Sequence, residues 1–294
     1  MSALNAVIPK LTGGLYKQED QTKPQHSSLN AQNAVILGEN TPEAINLFKI
    51  KLLNAKKLKD IISAISILVD EASFDITPSD IKLRAMDPSH IAMVDFVWEK
   101  EAFDEFICEA ETKLCINISE LLKLLKRVSE TETAELTLDE KTGRLEITLQ
   151  GEYIRKFSMP ILETVSEEVP SPKITFLAAV EIETACLKNA TDDAGSVSDH
   201  IIFEITGEKF SMKAAGDLGS VATELNKDSK VVLEFKVEKE SRAIYSLSYL
   251  SEIVKAASST ADTVKVEFST DLPVKLSFGL TQGHLIYYLA PRIE

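Results

Sequence analysis

From residue 47 onward the chain switches between two periods. Leu47-Phe48-Lys49-Ile50-Lys51-Leu52 alternates apolar and polar positions, as a half-buried strand does. Ala55 to Val69 then repeats apolar residues at three and four (Leu58, Ile61, Ile62, Ile65, Val69), which predicts a helix with one buried stripe. Ser73–Ile76 and Ile81–Met86 read as strands around Thr77-Pro78-Ser79-Asp80, and His90–Trp98 as a strand after Asp87-Pro88-Ser89. In that turn Pro88 presets φ and Asp87 caps. A short amphipathic piece, Ala102–Cys108, leads to a strand over Lys113–Ile118. Ser119 is the expected N-cap of a second helix, Glu120–Val128, whose leucines face a core. Strands Ala134–Leu138, Leu145–Leu149 and Tyr153–Ser158 follow, with a hairpin turn at Lys141-Thr142-Gly143.

The rhythm breaks over residues 159–172, where Pro160, Pro170 and Pro172 accompany Glu163, Glu167 and Glu168. Three prolines remove ladder donors, so this reads as an extended connector between domains. Beyond it the pattern returns. Phe203-Glu204-Ile205-Thr206 matches Phe74-Asp75-Ile76-Thr77 at a spacing of 129 residues, and Leu187-Lys188-Asn189 matches Leu58-Lys59-Asp60 at the same spacing. The helical stretch Ser246–Lys255 likewise matches Asn117–Lys126. A constant offset across strand and helix implies a duplicated domain, 46–158 and 173–294, and four striped helices against sheets imply a two-layer α+β fold. Residues 1–45, rich in Asn, Gln, Ser and Lys, read as a poorly ordered extension; Asn-Ala-Val-Ile occurs in it twice, at Asn5 and Asn33, without a physical explanation.

Composition narrows the function. The chain has 294 residues, no apolar run long enough for a membrane span, and no basic and apolar leader at its start. Cys108, Cys115 and Cys186 lie apart without a CxxC pair, which fits reduced thiols in an intracellular, cytoplasmic compartment. Phosphate-loop, dinucleotide, zinc-protease and nucleophile-elbow signatures are absent, and neither a cofactor nor a metal is expected. Gly13-Gly14 lacks the Lys-Ser/Thr of a phosphate loop, and Asp192-Asp193 reads as solvated loop charge. Asp87, Ser89 and His90 have the side-chain types of a catalytic triad, but they crowd into four residues instead of converging from separate elements.

Net charge is −14, from 46 acids against 32 bases, which on average repels a phosphate backbone. The placement of the bases matters more than their sum. Lys56, Lys57 and Lys59 fall on the first helix, Lys123, Lys126 and Arg127 on the second, Lys188 on the third and Lys255 on the fourth. Bases at matched points of a repeated helix suggest one electropositive surface, although Glu181 and Glu183 accompany Lys188. Solvated helix faces also carry lysine without further reason, and the residues alone leave both readings open.

Two motifs add a resemblance. Leu83-x-x-Met86-Asp87-x-Ser89-His90 and the ending Gly283-His284-Leu285-Ile286-Tyr287-Tyr288-Leu289-Ala290-Pro291-Arg292-Ile293-Glu294 are similar to segments of the sliding-clamp family, proliferating cell nuclear antigen, and the alignable region runs from about Leu47 to Glu294. The archaeal type is the nearer in composition. The resemblance implies a homotrimeric ring of duplicated clamp domains, with sheets outside and helices facing a central hole. It implies a non-catalytic processivity factor that encircles double-stranded DNA without reading sequence, through the eight bases above. DNA polymerase, clamp loader, flap endonuclease and ligase would dock through short peptide motifs. Carried over by motif, their pocket comprises Met86, Pro88, Ser89, His90, Ile91, Val165, Val169, Pro273, Tyr288, Ala290, Pro291, Arg292 and Ile293. Ring closure would pair Gly219–Leu225, with Val221, Thr223 and Glu224, against Glu152–Ser158 of the next subunit, with Tyr153, Arg155, Lys156 and Phe157. Arg155 and Lys156 against Glu224 and Asp228 would form a complementary rim. The other reading is a peptide-binding scaffold with the same duplicated fold and no DNA function.

Overall fold

The computed structural model describes residues 48–139, 142–163 and 169–293. The first half runs β1 (Phe48–Leu52), α1 (Ala55–Ile65), β2 (Glu71–Ile76), β3 (Asp80–Met86), β4 (Ala92–Glu99), β5 (Glu105–Cys108), β6 (Thr112–Asn117), α2 (Ile118–Leu125), β7 (Thr133–Asp139), β8 (Arg144–Gln150) and β9 (Ile154–Pro160). The second half repeats that order: β10 (Ala178–Glu183), α3 (Thr184–Gly195), β11 (His200–Ile205), β12 (Lys209–Gly216), β13 (Gly219–Asn226), β14 (Val232–Val237), β15 (Ser241–Ser246), α4 (Leu247–Ala257), β16 (Thr263–Phe268), β17 (Val274–Leu280) and β18 (Gly283–Leu289). The 129-residue periodicity is therefore a repeat of structure, element by element.

Strand order carries the duplication further. One sheet is β5-β1-β7-β8-β9, and its counterpart in the second half is β14-β10-β16-β17-β18. That counterpart continues across β18 into β4-β3-β2-β6, making nine strands, whereas the equivalent of this last set, β13-β12-β11-β15, stands alone. The halves are thus joined by an antiparallel ladder that runs from Gly283 opposite Trp98 to Leu289 opposite Ala92. Gly283 begins it with φ +147°, and a Cβ there would lie 2.3 Å from the Val97 carbonyl oxygen, so the close approach of the two strands needs glycine.

Several boundaries differ from the sequence expectation, each for a local reason. The second helix is capped by Asn117, not Ser119: the Asn117 side chain accepts from the Glu120 amide, and the Ser119 hydroxyl donates to Asp70 at 2.7 Å instead. Its helical hydrogen bonding ends at Leu125, short of Val128. The Ala102–Cys108 piece begins at the end of a 3₁₀ turn, Lys100–Ala102, and continues into β5, which forms the edge of its sheet by pairing with β1. Strand β9 continues through Pro160, opposite Arg144, which an edge strand tolerates because its outward donors have no ladder partner to lose. His90 lies in the β3–β4 turn, and β4 begins only at Ala92. Lys141, residues 164–168 and the extension 1–45 fall outside the described residues.

Helix α1 ends at Ile65 and not Val69, and its four terminal carbonyls are all satisfied. Ile62 and Ile65 accept from the Ser66 and Leu68 amides, and Ser63 accepts from the Ser66 hydroxyl. Ala64 accepts at 2.9 Å from the Tyr287 hydroxyl, which belongs to β18 of the other half and is fully buried. A buried acceptor that loses its donor costs about 1–3 kcal/mol. Tyr287→Phe is accordingly expected to lower unfolding free energy by that amount in denaturant titration, with the slope unchanged.

Candidate nucleic-acid and partner interfaces

The helices form one row: α2 packs beside α1, α1 beside α4, and α4 beside α3. Each turns its apolar stripe to the sheets, with Leu58, Ile61, Ile62 and Ile65 buried on α1 and Leu250, Ile253, Val254 and Ala257 on α4. The helical spacing therefore turns the predicted bases away from the core. Lys56 is held by Asp60 at 2.7 Å, Lys123 by Glu120 at 2.7 Å, and Lys188 by Asp192 at 2.7 Å. Lys57, Lys59, Lys126, Arg127 and Lys255 make no ion pair among the described residues. Glu181 and Glu183 do not belong to α3: both lie on β10, where Glu181 accepts from Thr263. The duplication superposes Lys59 on Lys188 and Lys126 on Lys255, so the cations recur by repeat.

A second arrangement forms where the two halves meet. Met93 of β4, Tyr288 of β18 and Ala290 are buried together, separate from the main core, and Met86, Ile91, Val169, Ile174, Phe176 and Ile286 pack half-buried against them. Burial pushes the Tyr288 phenol above its usual range. One wall of this apolar patch is the β3–β4 turn. There the Asp87 carboxylate, itself buried, accepts the amides of Ser89 at 3.0 Å, Ile91 at 2.7 Å and Ala92 at 2.6 Å. An oxygen pair saturated in this way is a turn anchor, not a base. His90 and Ser89 are exposed, and His90 sits at φ +56°. The tail borders the same patch beside this turn, tied on by the Ala290 amide to the Ile91 carbonyl at 2.9 Å.

The third feature is a pair of outer strands. Strand β9 edges one sheet and β13 edges another, and their outward backbone groups have no ladder partner among the described residues. Tyr153 and Ile154 are exposed at the start of β9, and Leu218 at the start of β13. The expected rim charges are partly committed inside the subunit: Arg155 is bonded to Glu132, and Glu224 to Lys209 at 2.6 Å. Lys156 and Asp228 form no ion pair among the described residues.

Comparison with known proteins decides the family. Models of the proliferating cell nuclear antigen N-terminal and C-terminal domains match residues 47–166 and 171–293. The chain belongs to the proliferating cell nuclear antigen family. It is 39% identical over 243 residues to DNA polymerase sliding clamp 1 of Pyrobaculum aerophilum, covering 82% of this chain and 97% of that one. It is 34% identical over 248 residues to the DNA polymerase sliding clamp of Nitrosopumilus maritimus, covering 84% and 99%. A crystal structure of PCNA from Thermococcus kodakaraensis superposes with a TM-score of 0.79 at 27% identity, covering 83% of this chain and all of that one.

In this clamp Pro88, Ser89 and His90 of the residues carried over by motif are exposed on the β3–β4 turn, and the rest divide into two groups. Met86, Ile91, Val169, Tyr288 and Ala290 converge on the apolar patch. Pro273 and Pro291 are buried outside that patch, Ile293 is 78% exposed, and Arg292 reaches Asp199 at 3.0 Å, while Val165 lies outside the described residues. The motif did not carry over Met93, Ile174, Phe176 and Ile286, and sequence reasoning missed Tyr249 of α4, whose hydroxyl donates to Asp87 at 3.1 Å from 162 residues away. Asp87→Ala, which strips three amides of their acceptor, is expected to cost about 2–3 kcal/mol in denaturant unfolding. Asp87→Asn, which keeps Oδ1 as an acceptor, should cost less.

Proposed function

We propose that this chain is a DNA polymerase sliding clamp, a ring of three copies that encloses duplex DNA and holds replication enzymes on it. The observation that carries the reading is the row of four helices whose unpaired bases recur with the duplication, at Lys59, Lys126 and Lys255, beside Lys188, which shares its charge with Asp192. In a chain of net charge −14, such a row is where phosphate would be tolerated. Exposed lysines that meet phosphates through water read no base edges, so the contacts would be sequence-independent and the ring would slide. Retention then comes from enclosure and not from affinity.

The internal junction supports ring closure. Strand β18 meets β4 within the chain, and the duplicated counterparts of these two strands are β9 and β13, the two edges left open. Repeating the same antiparallel junction between copies joins them head to tail, and such a heterologous contact closes into a ring when its rotation permits. Phe157 and Val221 pack on the core side of their strands and supply the apolar centre of that junction. The patch around Met93 and Tyr288 would take the aliphatic and aromatic anchors of a one-turn helix from polymerase, clamp loader, flap endonuclease or ligase.

Two measurements test this. Replacing Lys59, Lys126, Lys188 and Lys255 by Gln is expected to abolish processive synthesis on primed circular DNA and to flatten the salt dependence of binding by about one counterion per lysine replaced, with peptide binding retained. Processivity that survives would leave the scaffold reading. Val221→Asp should shift the solution mass from three copies toward one while the circular dichroism spectrum stays unchanged; an intact trimer would overturn the β9–β13 junction.

A further inference from the structure

We propose that Tyr249 is a positioning residue for partner binding: through the buried Asp87 carboxylate it holds the β3–β4 turn in the shape that walls the apolar patch, joining helix α4 to that patch. The inference rests on the reading of the patch as a peptide pocket.

The geometry forms a closed circuit. Asp87 Oδ1 accepts from Ile91 and Ala92, and Oδ2 accepts from Ser89 and from the Tyr249 hydroxyl at 3.1 Å. The local amides shape the turn but do not fix where it sits; of these donors, Tyr249 is the one that comes from another element. Ile91 then holds the tail through the Ala290 amide, and the Arg292 amide donates at 2.7 Å to the Ile244 carbonyl on β15, the strand that runs directly into α4. Turn, tail and helix are therefore tied at three points. His90 supplies the reason a tie is needed. Its φ of +56° lies in the left-handed region, which a non-glycine residue keeps only where its surroundings over-determine it. Burial pushes the Tyr249 phenol above its usual range, so the hydroxyl remains a donor at neutral pH. Because α4 also carries exposed Lys255, Tyr249 links the helix bearing that base directly to the β3–β4 turn.

The test pairs Tyr249→Phe with Asp87→Asn in a double-mutant cycle on the full chain. The probe is a short fluorescein-labelled peptide bearing one aliphatic and two aromatic anchors within a helical turn, and amide hydrogen exchange is followed in parallel. Tyr249→Phe is expected to weaken the peptide about three- to tenfold, the loss of one hydrogen bond. It should also speed exchange at the amides of Ser89, Ile91 and Ala92 while leaving the amide of Phe96 unchanged. Both effects should shrink in the Asp87→Asn background. Unchanged exchange at the three turn amides, or an effect of equal size in both backgrounds, would overturn the tie. Ile91→Ala separates the two readings, since it strips the pocket wall without touching Asp87. Peptide binding indifferent to Ile91→Ala, with turn exchange still sensitive to Tyr249→Phe, would sink the pocket and with it the claim that the tie serves partner binding.

Discussion

The rest of this structure depends on the backbone ladder between β4 and β18. It joins strands from opposite ends of the chain, and it converts two copies of a domain into one continuous nine-stranded sheet. Backbone pairing of this kind carries little side-chain specificity, so the junction is secured by what packs on its two faces. On one face Tyr287 crosses to the end of α1; on the other Met93 and Tyr288 build the separate apolar patch. The same ladder therefore supplies both the fusion of the halves and the floor of the apolar patch. The duplication also leaves a copy of each of its two strands at the edge of another sheet, with no ladder partner on its outer side among the described residues.

Charge in this chain acts through its position. Surface ion pairs between exposed groups contribute about 0–1 kcal/mol each, so the pairs of Lys56 with Asp60 and Lys188 with Asp192 are weak as stabilisers. Their consequence is to soften the cationic row. A row with every lysine free would grip phosphate tightly, and tight contacts oppose sliding. In the proposed clamp, intrahelical carboxylates beside some of the bases would keep the field positive enough to admit a duplex and shallow enough to let it move.

What the sequence revealed follows from the range of each interaction. Period is local, so most first-half strands and the helical stripes could be read from residues a few positions apart, and the matches at a spacing of 129 residues carried that reading into the second half. Capping was less legible, because Asn117 and Ser119 are both good N-caps and the choice between them was made by Asp70, far upstream, which took the Ser119 hydroxyl. The pocket was legible only where a motif named its residues. Met86, Ile91, Tyr288 and Ala290 came with it, but Met93 and Phe176 did not: on a strand, an apolar residue such as Met93 facing the second side of the sheet gives the same alternation as one facing the core, and Phe176 lies outside any strand. Tyr249 left no trace at all, because its partner stands 162 residues away and an aromatic residue on an amphipathic helix reads as packing.

The Arg155 side chain shows how an edge strand is kept from pairing wrongly. The sequence placed Arg155 beside Lys156 as rim charge, but Arg155 is bonded to Glu132 inside its own subunit, with its guanidinium 5.9 Å from the centre of the Tyr153 ring. Free on β9, that cation would repel or capture any passing edge. Neutralised and half-buried, it leaves the strand flat, with Phe157 and the exposed Ile154 as its contact surface and Lys156 as its one unpaired charge among the described residues. An edge that is apolar at its centre and singly charged at its rim discriminates between partners by the position of one opposite charge. The β13 edge meets that requirement, since Val221 is apolar at its centre and Glu224 is taken by Lys209. Asp228, just past the end of β13 and outside any ion pair among the described residues, supplies the free acid. In the proposed ring, specificity for a second copy of the same chain would thus be set by which charges each edge has already neutralised internally, a property of the folded subunit and not of the strand sequences alone.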